Sequence, residues 1–142
     1  MSDKYKDNLK SLLGAILDKL PKGADASLKA FTKQYFIKMP LMDLEKMDPA
    51  LSAQIAVSSY AYFQEARRAG AAKKRLFKTD DTGLVPGRLV LEIINDDMPF
   101  LVDSVMAELG RLGFSLLEVI HPILRIRRSK SDTLEAVAES DD

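Results

Sequence analysis

Leu89-Val90-Leu91-Glu92-Ile93-Ile94-Asn95-Asp96-Asp97-Met98-Pro99-Phe100-Leu101-Val102-Asp103-Ser104 is the stretch that decides the fold. Its first part, from Arg88 to Ile94, is a near-continuous apolar run, the pattern of an interior strand covered on both faces. Two carboxylates and a proline follow. Leu101, Val105, Leu109 and Leu112 then fall on one face of a helix, with Asp103, Glu108 and Arg111 outside it. Gly113 supplies the helix stop. From Phe114 to Arg127 the pattern predicts a long strand. Leu117, Val119, His121 and Ile123 point one way, and Leu116, Ile120, Leu124 and Ile126 the other. Pro122 removes a ladder donor, so an edge position or a bulge is expected there. Ser129-Lys130-Ser131-Asp132 reads as a hairpin turn, Thr133 to Ala138 as a returning strand, and Glu139 to Asp142 as a polar tail.

Working upstream, the first 70 residues read as three antiparallel helices with short links. Leu9, Leu12, Leu13, Ile16, Leu17 and Leu20 recur at helical spacing over about Asp3 to Leu20, and Pro21-Lys22-Gly23 ends that helix. Asp25 or Ser27 caps a second helix carrying Leu28, Phe31, Tyr35 and Met39, which Pro40 terminates. A short helical turn follows over Leu41 to Lys46. Asp48-Pro49 is a start signal, a cap residue before a proline in the first helical position. The helix it opens is predicted to run to about Ala69, with Gly70 as its stop. Lys73, Lys74, Arg75 and Lys78 then surround Leu76 and Phe77 in a short edge strand or linker. These cations suit a solvated, aggregation-blocking edge better than a phosphate site. Thr79 to Gly83 and Pro86-Gly87 are turn clusters.

Bulk properties exclude several classes of function. The chain has 142 residues, 46% of them hydrophobic and 30% charged, with a formal net charge of +0. It can bury a core, and it lacks the basic excess expected of a nucleic-acid or anionic-membrane binder. With Cys 0 it holds no disulfide, thiolate metal site or cysteine nucleophile. The start is polar, without a signal-peptide core, and no apolar run approaches a membrane span, so a cytoplasmic protein is expected.

Chemistry-bearing residues are few. Asp96, Asp97 and Asp103 are close in sequence, but no calcium-loop spacing accompanies them, and no metal site is expected. A helix cap from Asp96 or Asp97, with Asp103 in the first turns, accounts for all three. His121, the one histidine, cannot build a triad or a metal cluster alone and reads as a packed imidazole beside Pro122. Arg125, Arg127, Arg128 and Lys130 read as a solvated strand end pairing with nearby acids. Tyr60, Tyr62 and Phe63 read as core or interface packing; a partner-binding face is the rival reading. No phosphate loop, dinucleotide fingerprint or nucleophile elbow is present. No catalytic residue is assigned. The one binding geometry suggested is the turn before the Pro99 helix, whose free N–H groups suit a small anion.

The run Asn95 to Val105, followed by His121-Pro122-Ile123-Leu124-Arg125-Ile126-Arg127-Arg128, resembles the N-terminal region of the large bacterial NAD-specific glutamate dehydrogenases. That resemblance implies ACT-like regulatory modules ahead of a distant catalytic domain. The expected fold is α+β, with a helical subdomain over 1–70 and a truncated ACT-like (ferredoxin-like) antiparallel sheet with a packed helix over 71–142. It implies a non-catalytic regulatory and assembly role. NAD and the conversion of glutamate to 2-oxoglutarate and ammonia belong to the parent enzyme, and no cofactor to this region. Self-association as a homo-oligomer and contact with the rest of the parent chain are the implied partners. A small amino-acid or carboxylate effector is implied at Asp97, Met98, Pro99 and Phe100, which are similar to the Asp-x-Pro-Gly-Leu turn of ACT modules. Phe100 stands where that pattern has glycine. Too few residues follow Ala138 for a complete module, so the sheet is expected to pair with another copy or to be covered by its own helices. The rival function is a stand-alone helical adaptor using Tyr60, Tyr62 and Phe63.

Overall fold

The computed structural model describes residues 3–79 and 87–138. Four helices come first: α1 (Asp3–Asp18), α2 (Ala26–Phe36), α3 (Leu41–Glu45) and α4 (Pro49–Gln64). β1 (Lys73–Lys78), β2 (Leu89–Ile94), α5 (Leu101–Arg111), β3 (Ile126–Arg128) and β4 (Leu134–Val137) follow. The class is α+β, and the strand–helix–strand order read from the sequence is present. Most of the turn clusters between Thr79 and Gly87, and the tail from Glu139, lie outside the described residues.

Helix starts follow local chemistry. The Asp25 carboxylate accepts from the Leu28 N–H at 2.8 Å and caps α2, which leaves Ser27 inside the helix. Asp48 accepts from Ala50 N–H at 3.1 Å, with Pro49 next to it at the start of α4. Helix ends follow it less well. α4 stops at Gln64, short of Gly70, because Glu65 turns to extended backbone and the Arg67 N–H goes to Asp132 O at 3.0 Å. The carbonyls released at the end of α4 are taken by distant cations. Lys73 Nζ donates to Tyr62 O at 2.9 Å, and Arg128 donates to Phe63 O and Glu65 O at 3.1 and 3.2 Å.

The core lies among the helices. Ile16, Leu20, Phe36, Met39, Leu44, Ala53 and Ala56 form one cluster. Small residues on α4, Ser52, Ala53 and Ala56, are almost wholly buried and allow close approach of α1 and α2. A second cluster joins Ala30, Phe31 and Tyr60 to Val137 of β4. Phe31 is its centre, with ring centroids 5.5, 5.1 and 5.5 Å from Tyr35, Tyr60 and Phe63. Burying a ring of that size contributes about 1.5–3 kcal/mol. Tyr60 and Tyr62 are buried and Phe63 partly so, as the packing reading predicts. The adaptor reading is not supported, since these rings are not presented to a partner.

The strands depart from expectation in two ways. β1 and β2 pair antiparallel, from Lys73↔Ile94 to Lys78↔Leu89, but that sheet has two strands only, so β2 is not covered on both faces. Leu89, Leu91 and Ile93 alternate outward and are exposed. The second departure is the predicted strand from Phe114 to Arg127, of which only Ile126–Arg128 forms. β4 supplies four residues and pairs with β3; the ladder reaches back to Arg125, whose carbonyl accepts from Ala138 N–H at 2.9 Å, and among the described residues no strand pairs with 114–124, where Pro122 removes one donor besides. The hairpin turn forms as expected, with Ser129 N–H to Thr133 O at 2.8 Å and Asp132 at φ 66.

Candidate functional site

The turn between β2 and α5 is where sequence placed the binding residues. Its backbone is set by Phe100, which lies at φ 64, ψ 9 in the left-handed region at the N-cap of α5. A phenylalanine there carries a steric cost that glycine does not, about 1–2 kcal/mol. The turn keeps the shape associated with glycine although the residue is aromatic. The ring gains no burial in compensation, being 76% exposed. Asp97, Met98 and Pro99 are exposed as well. No side chain caps α5, so its first N–H groups are left open for an acceptor.

Asp96 does not cap α5 either, contrary to expectation, and neither does Asp97. Asp96 Oδ1 accepts from Arg67 Nη2 at 2.6 Å. This hydrogen bond holds the Asp96 carboxyl below its usual range, helped by the charge of Arg67. Arg67 is itself buried; its Nε donates to Ala71 O at 2.8 Å. Asp103 sits in the first turn of α5 as predicted, where the macrodipole favours it.

Arg67 belongs to a cationic clasp that sequence reading did not assemble. Lys73 Nζ and Arg75 Cζ lie 4.2 and 4.3 Å from the Tyr62 ring centroid, and Arg75 also bonds Glu92 at 2.7 Å. Arg128 Cζ lies 5.3 Å from the Phe63 ring, with further bonds to backbone carbonyls. Burial lowers the pKa of Arg128, and the charge of Arg67 adds to the effect. Burial also lowers that of Lys73, against the pull of Glu65. The clasp ties the end of α4 to β1, to the β2–α5 turn and to the β3–β4 hairpin. Two expectations are corrected here. Lys73 and Arg75 point inward rather than forming a solvated edge, while Lys74 and Lys78 point outward. Arg128 satisfies helix carbonyls instead of pairing with an acid, whereas Arg127 does pair, with Glu135 at 2.9 Å.

His121 is the last correction. It is exposed, not packed, because the strand expected to hold it does not form. It lines a cleft of about 250 Å³ with Tyr35, Lys38, Met39, Pro40 and Val119. Among the described residues, no three His, Cys, Asp or Glu side chains converge as metal ligands, and no helix is long and apolar enough to cross a membrane.

Comparison with known proteins points to one family. The NAD-specific glutamate dehydrogenase of Halomonas elongata is 28% identical over 140 residues, covering 96% of this chain and 8% of that protein. The NAD-specific glutamate dehydrogenase of Pseudomonas aeruginosa is 40% identical over 47 residues, 33% of this chain and 3% of that protein. The chain thus spans less than a tenth of the length of the Halomonas elongata protein. No solved structure matches it. The family described as the ACT1 domain of glutamate dehydrogenase matches residues 31–142, from the centre of the second core cluster through the β2–α5 turn and both hairpins, and the chain belongs to that family.

Proposed function

We propose that this chain is a regulatory and assembly region of a cytoplasmic NAD-dependent glutamate dehydrogenase, with the conversion of glutamate to 2-oxoglutarate and ammonia carried out elsewhere in that enzyme. The supporting observation is the distribution of exposed apolar side chains. Among the described residues, every large one except Met42 lies between Leu76 and Ile123. Leu76, Phe100 and Leu117 are 64%, 76% and 67% exposed. Exposed apolar side chains in this number suit a surface that another chain covers.

A second copy of the chain is the occupant this reading names. The free edge of β2, with Leu89, Leu91 and Ile93 on one face, is the strand most open to pairing. The effector site that goes with this reading is the turn at Asp97, Met98, Pro99 and Phe100, where the uncapped N–H groups of α5 can donate to a carboxylate.

Light scattering over a range of concentrations tests the assembly. A dimer that is lost in Leu91→Lys, with helix content retained, is the expected result. A monomer at every concentration would overturn it. Titration with glutamate and other amino acids tests the effector site, which is lost as an idea if no amide of residues 97–103 shifts.

A further inference from the structure

The cleft beside the end of α2 has a chemistry of its own, separate from the β2–α5 turn. Its walls are of two kinds. Met39, Pro40 and Val119 are apolar, whereas Lys38 and His121 bring nitrogen donors to the same space. Tyr35 closes one side. Its hydroxyl is engaged with Ser59 Oγ at 3.1 Å, and burial keeps the phenol neutral by raising its pKa. Among the described residues, no carboxylate lines the cleft, although the chain as a whole carries as many acids as bases. A cation would therefore meet no counter-charge there.

We propose that this cleft binds a small aliphatic carboxylate. The Lys38 ammonium and the His121 imidazole take the carboxylate oxygens, and Met39, Pro40 and Val119 take the hydrocarbon body. A bare inorganic anion would leave that apolar wall unused, and a neutral hydrocarbon would leave the two donors unused. The volume of about 250 Å³ falls just below the range of drug-sized sites and suits a metabolite-sized acid. The occupant would bridge two parts of the chain. Lys38, Met39 and Pro40 follow α2, and Val119 and His121 lie in the segment 114–124, outside the described strands. Binding would fix that segment against the helices.

The test is an amide-resolved NMR titration of the intact chain with acetate, butyrate, hexanoate and inorganic phosphate. The expected result is saturable shifts at residues 35–40 and 119–121, stronger for butyrate and hexanoate than for acetate or phosphate. Lys38→Met is expected to weaken butyrate binding about tenfold or more, the worth of one charge-assisted hydrogen bond. His121→Gln, which keeps a donor, is expected to weaken it less than His121→Phe. Both Lys38 and His121 are exposed, so these variants leave the core intact. The proposal is overturned by no saturable shift, by shifts confined to residues 97–103, or by butyrate binding unchanged in Lys38→Met. Phosphate binding as tightly as butyrate would also overturn it, since the apolar wall would then contribute nothing.

Discussion

The helices of residues 3–64 and the strand–helix region of residues 73–123 are made from equally apolar sequence, yet they end up in opposite states. The first holds the buried apolar side chains, except for Val137, which joins it from β4. The second contributes none; even α5, with a strongly one-sided apolar pattern, buries no residue. Periodicity fixes what an element will be. Whether its apolar face is covered depends on a partner surface, which the helices find in one another and the β1–β2 sheet does not.

Substitutions in the two regions should separate accordingly. The largest effect is expected in the helical core. Phe36 is 0% exposed, and Phe36→Ala should cost about 3–5 kcal/mol, enough to unfold the chain in a urea titration. Phe114→Ala, at an exposed ring, should leave monomer stability within about 0.5 kcal/mol while weakening self-association. Equal losses of stability would erase the contrast.

The clasp comes next. Arg128→Ala removes the arginine donor from the carbonyls of Phe63 and Glu65 and leaves Asp132 O with the Arg67 N–H alone. A loss of about 1–3 kcal/mol is expected, read by thermal unfolding, together with faster hydrogen exchange at the end of α4. Phe100→Gly should act in the other direction, raising stability by about 1 kcal/mol through relief of the left-handed backbone. A destabilised Phe100→Gly variant would mean that the exposed ring is held by contacts after all.

The smallest effect is electrostatic. The folded pKa of Asp96 lies below its unfolded value, so the Arg67–Asp96 pair stabilises fully above the unfolded value. Its contribution fades as pH falls through the lower folded value. Because Asp96 is exposed, the effect is small. Asp96→Asn should flatten the acid side of the stability profile by removing a small stabilisation at neutral pH, with no change below the folded value of Asp96. A wild-type profile without that acid-side slope would remove the pair from the account.

Signals confined to a few residues were legible in the sequence. Asp25, Asp48-Pro49 and Gly113 set helix boundaries through bonds and dihedrals within one turn, and they act as read. The end of α4 was not legible, since it depends on Lys73 and on Arg128, whose bonds reach back 65 residues to Phe63 O. The role of Asp96 was hidden for the same reason, its partner Arg67 lying 29 residues away. The segment 114–124 reads as a strand because alternation reports the faces a strand would have, and says nothing of whether a neighbour is there to bond it. At the turn, the left-handed backbone of Phe100 was not legible, because phenylalanine carries no preference for that region.

Hydrogen exchange followed by mass spectrometry, at low and high protein concentration, tests the central contrast most directly. The account predicts that peptides covering 9–62 are protected at both concentrations, whereas peptides covering 89–123 become protected only at high concentration, as a second copy covers them. Strong protection of 89–123 at the lowest concentration, unchanged on raising it, would contradict the account and mean that the chain covers this face by itself.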